Sequence, residues 1–424
     1  MGSITEKLQA IIDSKEDIRT SIINKGVDVP ESTKFSDYPT KISSIPTEKI
    51  EAPENDVNFY DYDGFRIASY TIRGAQSYFE GCDTLRIDNM PTHTGLTFDG
   101  WNWDAMDLVK TSRKYADIGA LYKTTDNATH IKVLINNPSI DILNTGLRLG
   151  AKISLNVDYG DGTVETKENT STSATNVIIN HTFPSAGFYD VKISITSNPN
   201  STRYGFVSTT SYGYRNYVIK EINIGNNVLL DQSYSLAYLD CKISFPSSVL
   251  ITGTYCFSYS TIPIVNLPVS SFTTNYMFYY FNGNISLPSS CASFTGTYFS
   301  QYSSIKRVIV PNTINTSSVG NTLFNNNRHL EVLSLPMGVT FNTSANTVQN
   351  CTYLKEFDVE EGWVPTQNIT LSVSSVFKVD GMVRLFNNLG DTRAAITITL
   401  GRTNTGRLTS DQIAIATNKG YTIA

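Results

Sequence analysis

The strongest constraint on the fold is a repeat between residues 215 and 360. Prolines recur at intervals of 22, 20, 23 and 25 residues, at Pro246, Pro268, Pro288, Pro311 and Pro336. Each proline follows a short apolar alternation such as "KISFP" or "NISLP". An aromatic residue recurs between the prolines, at Phe257, Phe278, Phe299 and Phe324. This period predicts a solenoid in which one short strand per coil stacks into a parallel sheet and the aromatic residue fills the far side.

Two copies, "FPSSVLITGTYCFSYSTIPIVNLP" and "LPSSCASFTGTYFSQYSSIKRVIVP", carry a resemblance to a known family. They resemble leucine-rich repeats of the BspA type, although leucine is scarce and the copies are irregular. The resemblance implies an irregular leucine-rich-repeat solenoid over residues 201–375. "TNYMFYYFNGN" and "TGTYFSQYSS" place tyrosine, asparagine and serine on this array. They either bind a sugar or protein partner, as such residues do in antibody loops, or pack between coils.

Residues 376–424 break the repeat. "SVFKVDGMVRLFNNLG" is typical of a helix, "AAITITLG" of a strand, and "LTSDQIAIATNKGYTIA" of a helix followed by a strand. Thr409 is suited to start that last helix and Gly420 to end it. Because an open solenoid end exposes a sheet edge, we predict that this segment is an α/β C-terminal cap.

Residues 151–197 read as four strands joined by turns, with Gly160-Asp161-Gly162 at the first turn. The "GDG" turn followed by "HTFPSAGFYDVKISI" resembles the PKD-like immunoglobulin sandwich, which implies a spacer or adhesion module over residues 150–200. Asp158 and Asp161 either bind calcium or, as we expect, organise their own turn.

Residues 51–149 predict a small β-rich module with one helix. "VNFYDYDGFRIASYTI" indicates a hairpin around Asp63-Gly64, residues 104–115 favour a short helix, and two strands flank Thr124–Asn127. The pattern "FYDYDG … PTHTGLTFDGWNW" resembles a module of phage and prophage proteins. One cluster of histidine, aspartate and tryptophan comprises His93, Asp99, Trp101, Trp103 and Asp104. It suggests either a metal or sugar site or an aromatic loop that packs a small domain, and we favour the loop.

The first 26 residues predict an amphipathic helix. Ser3 and Glu6 form a capping-box pattern, and Gly26 suits the helix end. Apolar residues in heptad spacing, interrupted by Lys15, form a seam for a short coiled coil of two or three strands: Ile4, Leu8, Ile11, Ile18 and Ile22. The helix is expected to pack against copies of itself or a larger assembly, the alternative being its own β-domains.

A proline-rich strap follows the helix, and Phe35, Tyr38 and Ile42 are its candidate anchors. "LQAIIDSKEDIRTSIINKGVDVPESTKFSDYPTKI" resembles the N-terminal segments of phage tail-fibre and related virion proteins. The resemblance implies that residues 1–50 serve anchoring and oligomerisation, with capsid or tail proteins as partners. Together the segments predict a mainly β multidomain chain: residues 1–50, 51–149, 150–200, 201–375 and 376–424.

Composition excludes several function classes. A net charge of −5 without a basic run argues against nucleic acid. The sequence predicts no membrane insertion, no cofactor and no metal. Five cysteines form no CxxC pair, and Cys256, Cys291 and Cys351 are expected to be buried and reduced. The N-terminus lacks a signal-peptide pattern, which predicts assembly in a host cytoplasm and a place in a virion.

We expect no enzymatic activity. The four histidines lie in unrelated segments, and Glu360-Glu361 are adjacent, so a strand would point them to opposite faces. The sequence therefore predicts a fibre-type phage virion protein, of the head or the tail, that displays an adhesive surface for a host glycan or protein. The alternatives are a bacterial or prophage-encoded surface adhesin and, less favoured, a glycan depolymerase.

Overall fold

The structure is a computed structural model that divides into two compact units, Met1–Asn55 and Asp56–Ala424. In the second unit it describes residues 56–207, 216–268, 275–290, 298–312, 323–339 and 348–424, with the strand residues 272–273 and 294–295. In the first unit it describes scattered residues between positions 7 and 41.

The first unit pairs a helix with the strap that follows it. The described residues between positions 7 and 19 are helical, and Phe35–Asp37 form a 3₁₀ turn. Arg19 Nε donates to Val29 O at 2.8 Å, and Lys15 Nζ lies 6.0 Å from the centre of the Tyr38 ring. The strap therefore contacts the helix. The capping box and Gly26 lie outside the described residues.

Residues 56–124 form a module with a four-stranded sheet of order β2-β1-β4-β3. Its elements are β1 (Val57–Tyr60), β2 (Arg66–Tyr70), α1 (Ile72–Phe79), β3 (Leu96–Trp101), α2 (Ala105–Lys110) and β4 (Ala116–Thr124). The hairpin predicted at Asp63-Gly64 is confirmed, since β1 and β2 pair antiparallel and Gly64 has a φ of 89°. The predicted helix is confirmed but is shorter, and Asp104 caps its first turn.

Seven strands within residues 129–207 form a β-sandwich. They are β5 (Thr129–Ile135), β6 (Ile142–Leu149), β7 (Ser154–Asp158), β8 (Val164–Glu168), β9 (Thr175–Thr182), β10 (Gly187–Ser197) and β11 (Tyr204–Val207). One sheet contains β5-β10-β7-β8 and the other β11-β6-β9. The four strands predicted for residues 151–197 are present as β7 to β10. Two partners, β5 and β6, lie before residue 150, so strand pairing crosses the predicted domain boundary there.

The solenoid follows from residue 219, with a longer and a shorter strand in several coils. The strands are β12 (Ile219–Asn223), β13 (Leu229–Leu230), β14 (Lys242–Ser244), β15 (Leu250–Ile251), β16 (Thr261–Asn266), β17 (Phe272–Thr273), β18 (Asn282–Ser286), β19 (Phe294–Thr295), β20 (Arg307–Ile309), β21 (Val332–Leu335) and β22 (Glu356–Val359). The longer strands pair parallel from coil to coil, as β12 with β14, β16 with β18, β20 with β21, and β21 with β22. The predicted stack of one main strand per coil is confirmed.

The recurring aromatic residues stack inside the coils, as predicted. Phe257 and Phe278 are fully buried with ring centres 5.3 Å apart, and Phe299 lies 5.1 Å from Phe278. Aromatic pairs at these separations stabilise a core beyond the area they bury. The phenylalanines therefore link successive coils, Phe257 with Phe278 by stacking and Phe278 with Phe299 edge-to-face.

The longer strands of the solenoid form one row, which we call the main strand row, and both of its ends are closed. At the first end β12 pairs antiparallel with β5, which joins the sandwich sheet to the solenoid sheet. At the far end lie α3 (Val379–Asn388), which contacts β22, α4 (Arg402–Thr405), α5 (Ser410–Thr417) and a parallel sheet of β23 (Ile369–Thr370), β24 (Ile396–Thr399) and β25 (Tyr421–Ile423). One hydrophobic core runs from Ile131 to Tyr421. The sandwich and the C-terminal segment thus cover the edges that would otherwise pair with other chains.

The last helix begins and ends as predicted. Thr409 and Gln412 form a capping box, each side chain accepting the backbone N–H of the other residue. Gly420 has a φ of 95°, a conformation that favours glycine after a helix end. Across the described residues, no helix has both the length and the apolar character needed to cross a membrane.

The repeat cysteines that the structure describes are buried and are free thiols. Cys256 and Cys351 are buried free thiols, and burial raises the pKa of each to about 12. The prediction is confirmed for these two, whereas Cys291 lies outside the described residues. Cys82, in the module, is an exposed free thiol.

Candidate binding surface

The outward face of the main strand row is covered by the module of residues 56–124. Strand β4 lies against β14, β16 and β18. Tyr122 N donates to Phe245 O at 2.9 Å, and Ser286 Oγ donates to Asp117 O at 2.6 Å. Asn266, 1% exposed, donates to the β4 carbonyl of residue 120 at 3.1 Å. This part of the face is therefore an internal interface rather than a free binding surface.

A buried charge cluster continues the same interface toward the C-terminal coils. We define it by Asp117 and Arg307, which pair at 2.9 Å, and by Glu356, Asp358 and Arg384. Arg384 pairs with Asp358 at 3.3 Å and also with Glu356. Burial raises the pKa of Asp358, although the adjacent Arg384 opposes that shift. These charges compensate one another, so the cluster joins the module, the repeats and the cap.

The side of the solenoid between the short and the long strands carries two columns of stacked tyrosines. We call them the tyrosine ladders. The first contains Tyr234, Tyr255, Tyr276 and Tyr298, and the second contains Tyr238, Tyr259, Tyr280 and Tyr302. Successive ring centres are 4.7, 4.4 and 4.8 Å apart in the first ladder and 5.0, 5.2 and 4.9 Å apart in the second, with ring planes within 23° of parallel. Each coil thus presents two aligned aromatic rings.

Every ladder tyrosine has a left-handed backbone, with φ between 52° and 63°. This conformation costs a residue other than glycine about 1 kcal/mol, and asparagine tolerates it best. The next two coils place Asn326 and Asn350 at the position of Tyr302, again with positive φ, and Asn350 Nδ2 donates to Asn326 Oδ1 at 2.7 Å. The backbone therefore accepts asparagine there, so tyrosine is required by stacking or by a partner rather than by the turn.

The second ladder is open to solvent at one end. Tyr280 is 47% exposed and Tyr302 is 44% exposed, while the other ladder tyrosines are partly buried. Tyr279 lies edge-on between the two ladders, 5.4 Å from Tyr276 and 4.7 Å from Tyr280. Burial, followed by the neighbouring tyrosines, raises the pKa of Tyr279 to about 12. Both alternatives from the sequence are thus compatible: the tyrosines pack between coils, and two of them keep an exposed aromatic surface.

The predicted anchoring residues are only partly described. Ile4, Leu8, Ile11 and Ile22 lie outside the described residues. Ile18 is helical and 37% exposed, and Tyr38 is 2% exposed. Phe35 lies in the 3₁₀ turn. The oligomeric seam stays a prediction.

The residues considered for metal or calcium binding are engaged in local contacts. His93 Nε2 lies 2.8 Å from Asp61 Oδ2, and Asp99 accepts from Ser247 N at 2.8 Å. Asp158 and Asp161 accept backbone N–H groups two residues ahead, at 2.9 Å each, which is the turn-organising role that we expected. The described part of the chain contains no group of three or more histidine, cysteine, aspartate or glutamate side chains that could hold a metal ion.

The two tryptophans of the module have separate roles. Trp103 is 4% exposed, and its Nε1 donates to Leu287 O at 2.9 Å, which anchors the module on the repeats. Trp101 is only partly buried, and its Nε1 donates to Leu85 O at 3.0 Å. Packing therefore accounts for Trp103, and both tryptophans line a cavity on the module surface.

Parallel strands stacked at intervals of roughly 20 residues, with a capped end and a shared core, define a leucine-rich-repeat type of solenoid. A family model described as the BspA type leucine rich repeat region matches the chain in six copies, over residues 170–283, 207–316 and 271–377. The repeat region is therefore similar to that family, as the sequence predicted. The first match begins inside the sandwich, in line with the shared core. No curated protein and no solved structure matched the chain.

The sequence contained a signal for the ladders that the proline spacing hides. Tyrosine occurs in pairs four residues apart, and the pairs recur after 21, 21 and 22 residues. Aligning the copies on these pairs, rather than on proline and phenylalanine, places the rings in two columns. The positive φ of each tyrosine has no counterpart in the sequence.

Proposed function

We propose that this chain is a non-enzymatic attachment protein that binds a glycan or protein of a bacterial surface through the tyrosine ladders. The observation that carries the proposal is the exposed end of the second ladder, because the module covers the strand face that solenoids commonly use. Tyrosine offers a large rigid surface with a polar tip and loses little conformational entropy on binding. The similarity to BspA-type repeats supports the class of surface adhesin.

The first test replaces both exposed ladder tyrosines by asparagine. Tyr280→Asn/Tyr302→Asn keeps the left-handed backbone, because Asn326 and Asn350 occupy the equivalent position in later coils. Loss of two central aromatic contacts is expected to weaken binding of the labelled full chain to a panel of bacterial cells about tenfold or more. Flow cytometry measures the binding, and circular dichroism checks the fold.

The matched control is Tyr353→Asn. Tyr353 is 59% exposed on the same solenoid but stands outside the ladders. It should leave binding unchanged. Equal losses in both variants, or no loss in the ladder variant, would contradict the proposed site.

The finer proposal is a fibre-type protein of a bacteriophage virion, of the head or the tail, attached through residues 1–50. Its support is the resemblance of "LQAIIDSKEDIRTSIINKGVDVPESTKFSDYPTKI" to virion attachment segments, together with the separate compact unit Met1–Asn55. In this proposal the helix forms a dimer or trimer, and capsid or tail proteins are its partners. The sandwich, joined to the solenoid by the pairing of β5 with β12, is PKD-like. A surface adhesin encoded by a prophage or a bacterium is the second candidate, favoured by the repeat family alone.

The solution mass of the full chain tests the anchor. Light scattering should give a dimer or trimer for the full chain and a monomer for a chain without residues 1–50. Ile18→Glu should also give a monomer because it places a charge on the predicted seam, whereas Ile12→Glu, 52% exposed and outside the seam, should not. Oligomers that persist without residues 1–50 would assign self-association to the β-rich unit instead.

A further inference from the structure

A cavity of about 450 Å³ opens on the surface of the module, away from the ladders in the sequence and on a different part of the fold. Its lining combines aromatic and charged side chains, among them Asp83, Arg86, Phe98, Trp101 and Asp104. The volume lies in the range of small-molecule sites, about 300–1,000 Å³. A cavity with an aromatic wall and a few polar groups is the usual form of such a site.

The aromatic wall of this cavity is held in one orientation. Trp101 is packed between Phe59, with ring centres 5.0 Å apart, and Phe98, at 5.2 Å, both edge-on. Its Nε1 donates to Leu85 O, so the indole N–H is already used. Phe98 itself is 38% exposed. The wall therefore offers apolar ring surface to a ligand, and the ligand does not have to order it.

The polar groups at the rim are available for hydrogen bonds. Asp83, Thr84 and Arg86 are exposed, and none of the three side chains has a hydrogen bond or ion pair with another described residue. Asp104 uses Oδ1 to cap α2 through Met106 N at 2.7 Å. Carboxylates accept hydrogen bonds and a guanidinium donates them, so the rim suits hydroxyl groups, which do both.

We infer that this cavity binds a neutral sugar ring, with one face of the pyranose on the Phe98 and Trp101 wall and its hydroxyls on Asp83 and Arg86. An aromatic ring accepts the C–H face of a sugar, while the ring hydroxyls point sideways to the rim. Two carboxylates against one guanidinium disfavour an acidic sugar or a phosphate. The site is independent of the proposed ladder surface and goes beyond it.

The test titrates the full chain with glucose, galactose, mannose and N-acetylglucosamine. Trp101 and Trp103 both line the cavity and report occupancy through intrinsic fluorescence, whereas Trp363, the third tryptophan, does not line it. Saturation-transfer NMR on the sugar is the second readout. At least one sugar should give a saturable signal with a Kd of about 1 mM.

Asp83→Asn/Arg86→Gln should weaken that binding about tenfold, since it removes charged hydrogen-bond partners of the hydroxyls without breaking a described contact. Arg73→Gln, an exposed arginine of α1 that does not line the cavity, is the matched control and should bind as the wild type does. The ladder variant Tyr280→Asn/Tyr302→Asn should also keep sugar binding, which separates this site from the proposed function.

Three outcomes would overturn the inference. One is the absence of a saturable signal in both readouts up to about 100 mM sugar, a hundred times the expected Kd. Another is binding that Asp83→Asn/Arg86→Gln leaves unchanged. The third is a preference for sialic acid or a uronic acid over every neutral sugar, since the excess of carboxylates at the rim predicts the opposite.

Discussion

Glu356→Gln is expected to lower the free energy of unfolding by about 3 kcal/mol. Glu356 is 1% exposed and lies 3.3 Å from Lys378 Nζ, 3.9 Å from Lys114 Nζ and in contact with Arg384. Glutamine keeps the size of the side chain but removes the charge that these three cations share. Removing one partner of a buried ion pair is costly because the remaining charges stay desolvated.

The loss should appear as a lower urea midpoint of the transition that unfolds the repeats. Glu331→Gln is the matched control, since Glu331 pairs with Lys355 at 2.8 Å one coil earlier but both side chains are more than a third exposed. An exposed pair of this kind contributes about 0–1 kcal/mol. Equal losses in the two variants would show that burial does not set the strength of the cluster.

Tyr115 gives the cations in and beside this cluster a further partner. Its ring centre lies 4.8 Å from the Arg307 guanidinium, 5.1 Å from Lys114 Nζ and 5.8 Å from Arg384. A cation above an aromatic face is attracted by the ring quadrupole. Burial, and next the Glu356 carboxylate, raises the pKa of Tyr115, so the hydroxyl stays protonated.

The solenoid and its cap could be predicted because their signals are local and repeated. Proline spacing, the inward phenylalanines and the Thr409 cap each depend on a few neighbouring residues, and the structure has all three. Four strands of the sandwich followed from alternation and the "GDG" turn in the same way. Local patterning specifies an element but not its partners, so the boundary predicted at residue 150 separates β5 and β6 from the strands with which they pair.

The binding surface could be predicted only in part, because it depends on contacts between distant residues. The tyrosines were recognised as candidates, but their stacking needs the register between coils. The covering of the strand face depends on pairs such as Asn266 with β4, which are separated by about 150 positions. The sandwich and the solenoid share one core for the same reason, since Tyr204 forms a β-bridge with Val228, a pairing that alternation does not reveal.

Gly119→Ala should separate the module from the repeats and lower the free energy of unfolding by about 3 kcal/mol. A Cβ at Gly119 would lie 2.4 Å from Asn266 Cγ, closer than any real contact. Asn266 cannot move aside without losing its bonds to Ala120 O at 3.1 Å and Tyr60 O at 3.3 Å. The loss of stability therefore comes from steric overlap where two chain segments approach closely.

A double-mutant cycle distinguishes this overlap from a general effect on β4. Asn266→Gly alone should destabilise the protein, because it leaves the two buried carbonyls without their donor. In Gly119→Ala/Asn266→Gly the overlapping atoms are gone, so the double variant should be more stable than the sum of the single losses predicts, by about 1–3 kcal/mol. Additive losses in urea unfolding would mean that Gly119 matters to the strand itself. A positive coupling would establish that the loss in Gly119→Ala comes from overlap with Asn266, and therefore that β4 of the module lies against the repeats at this point.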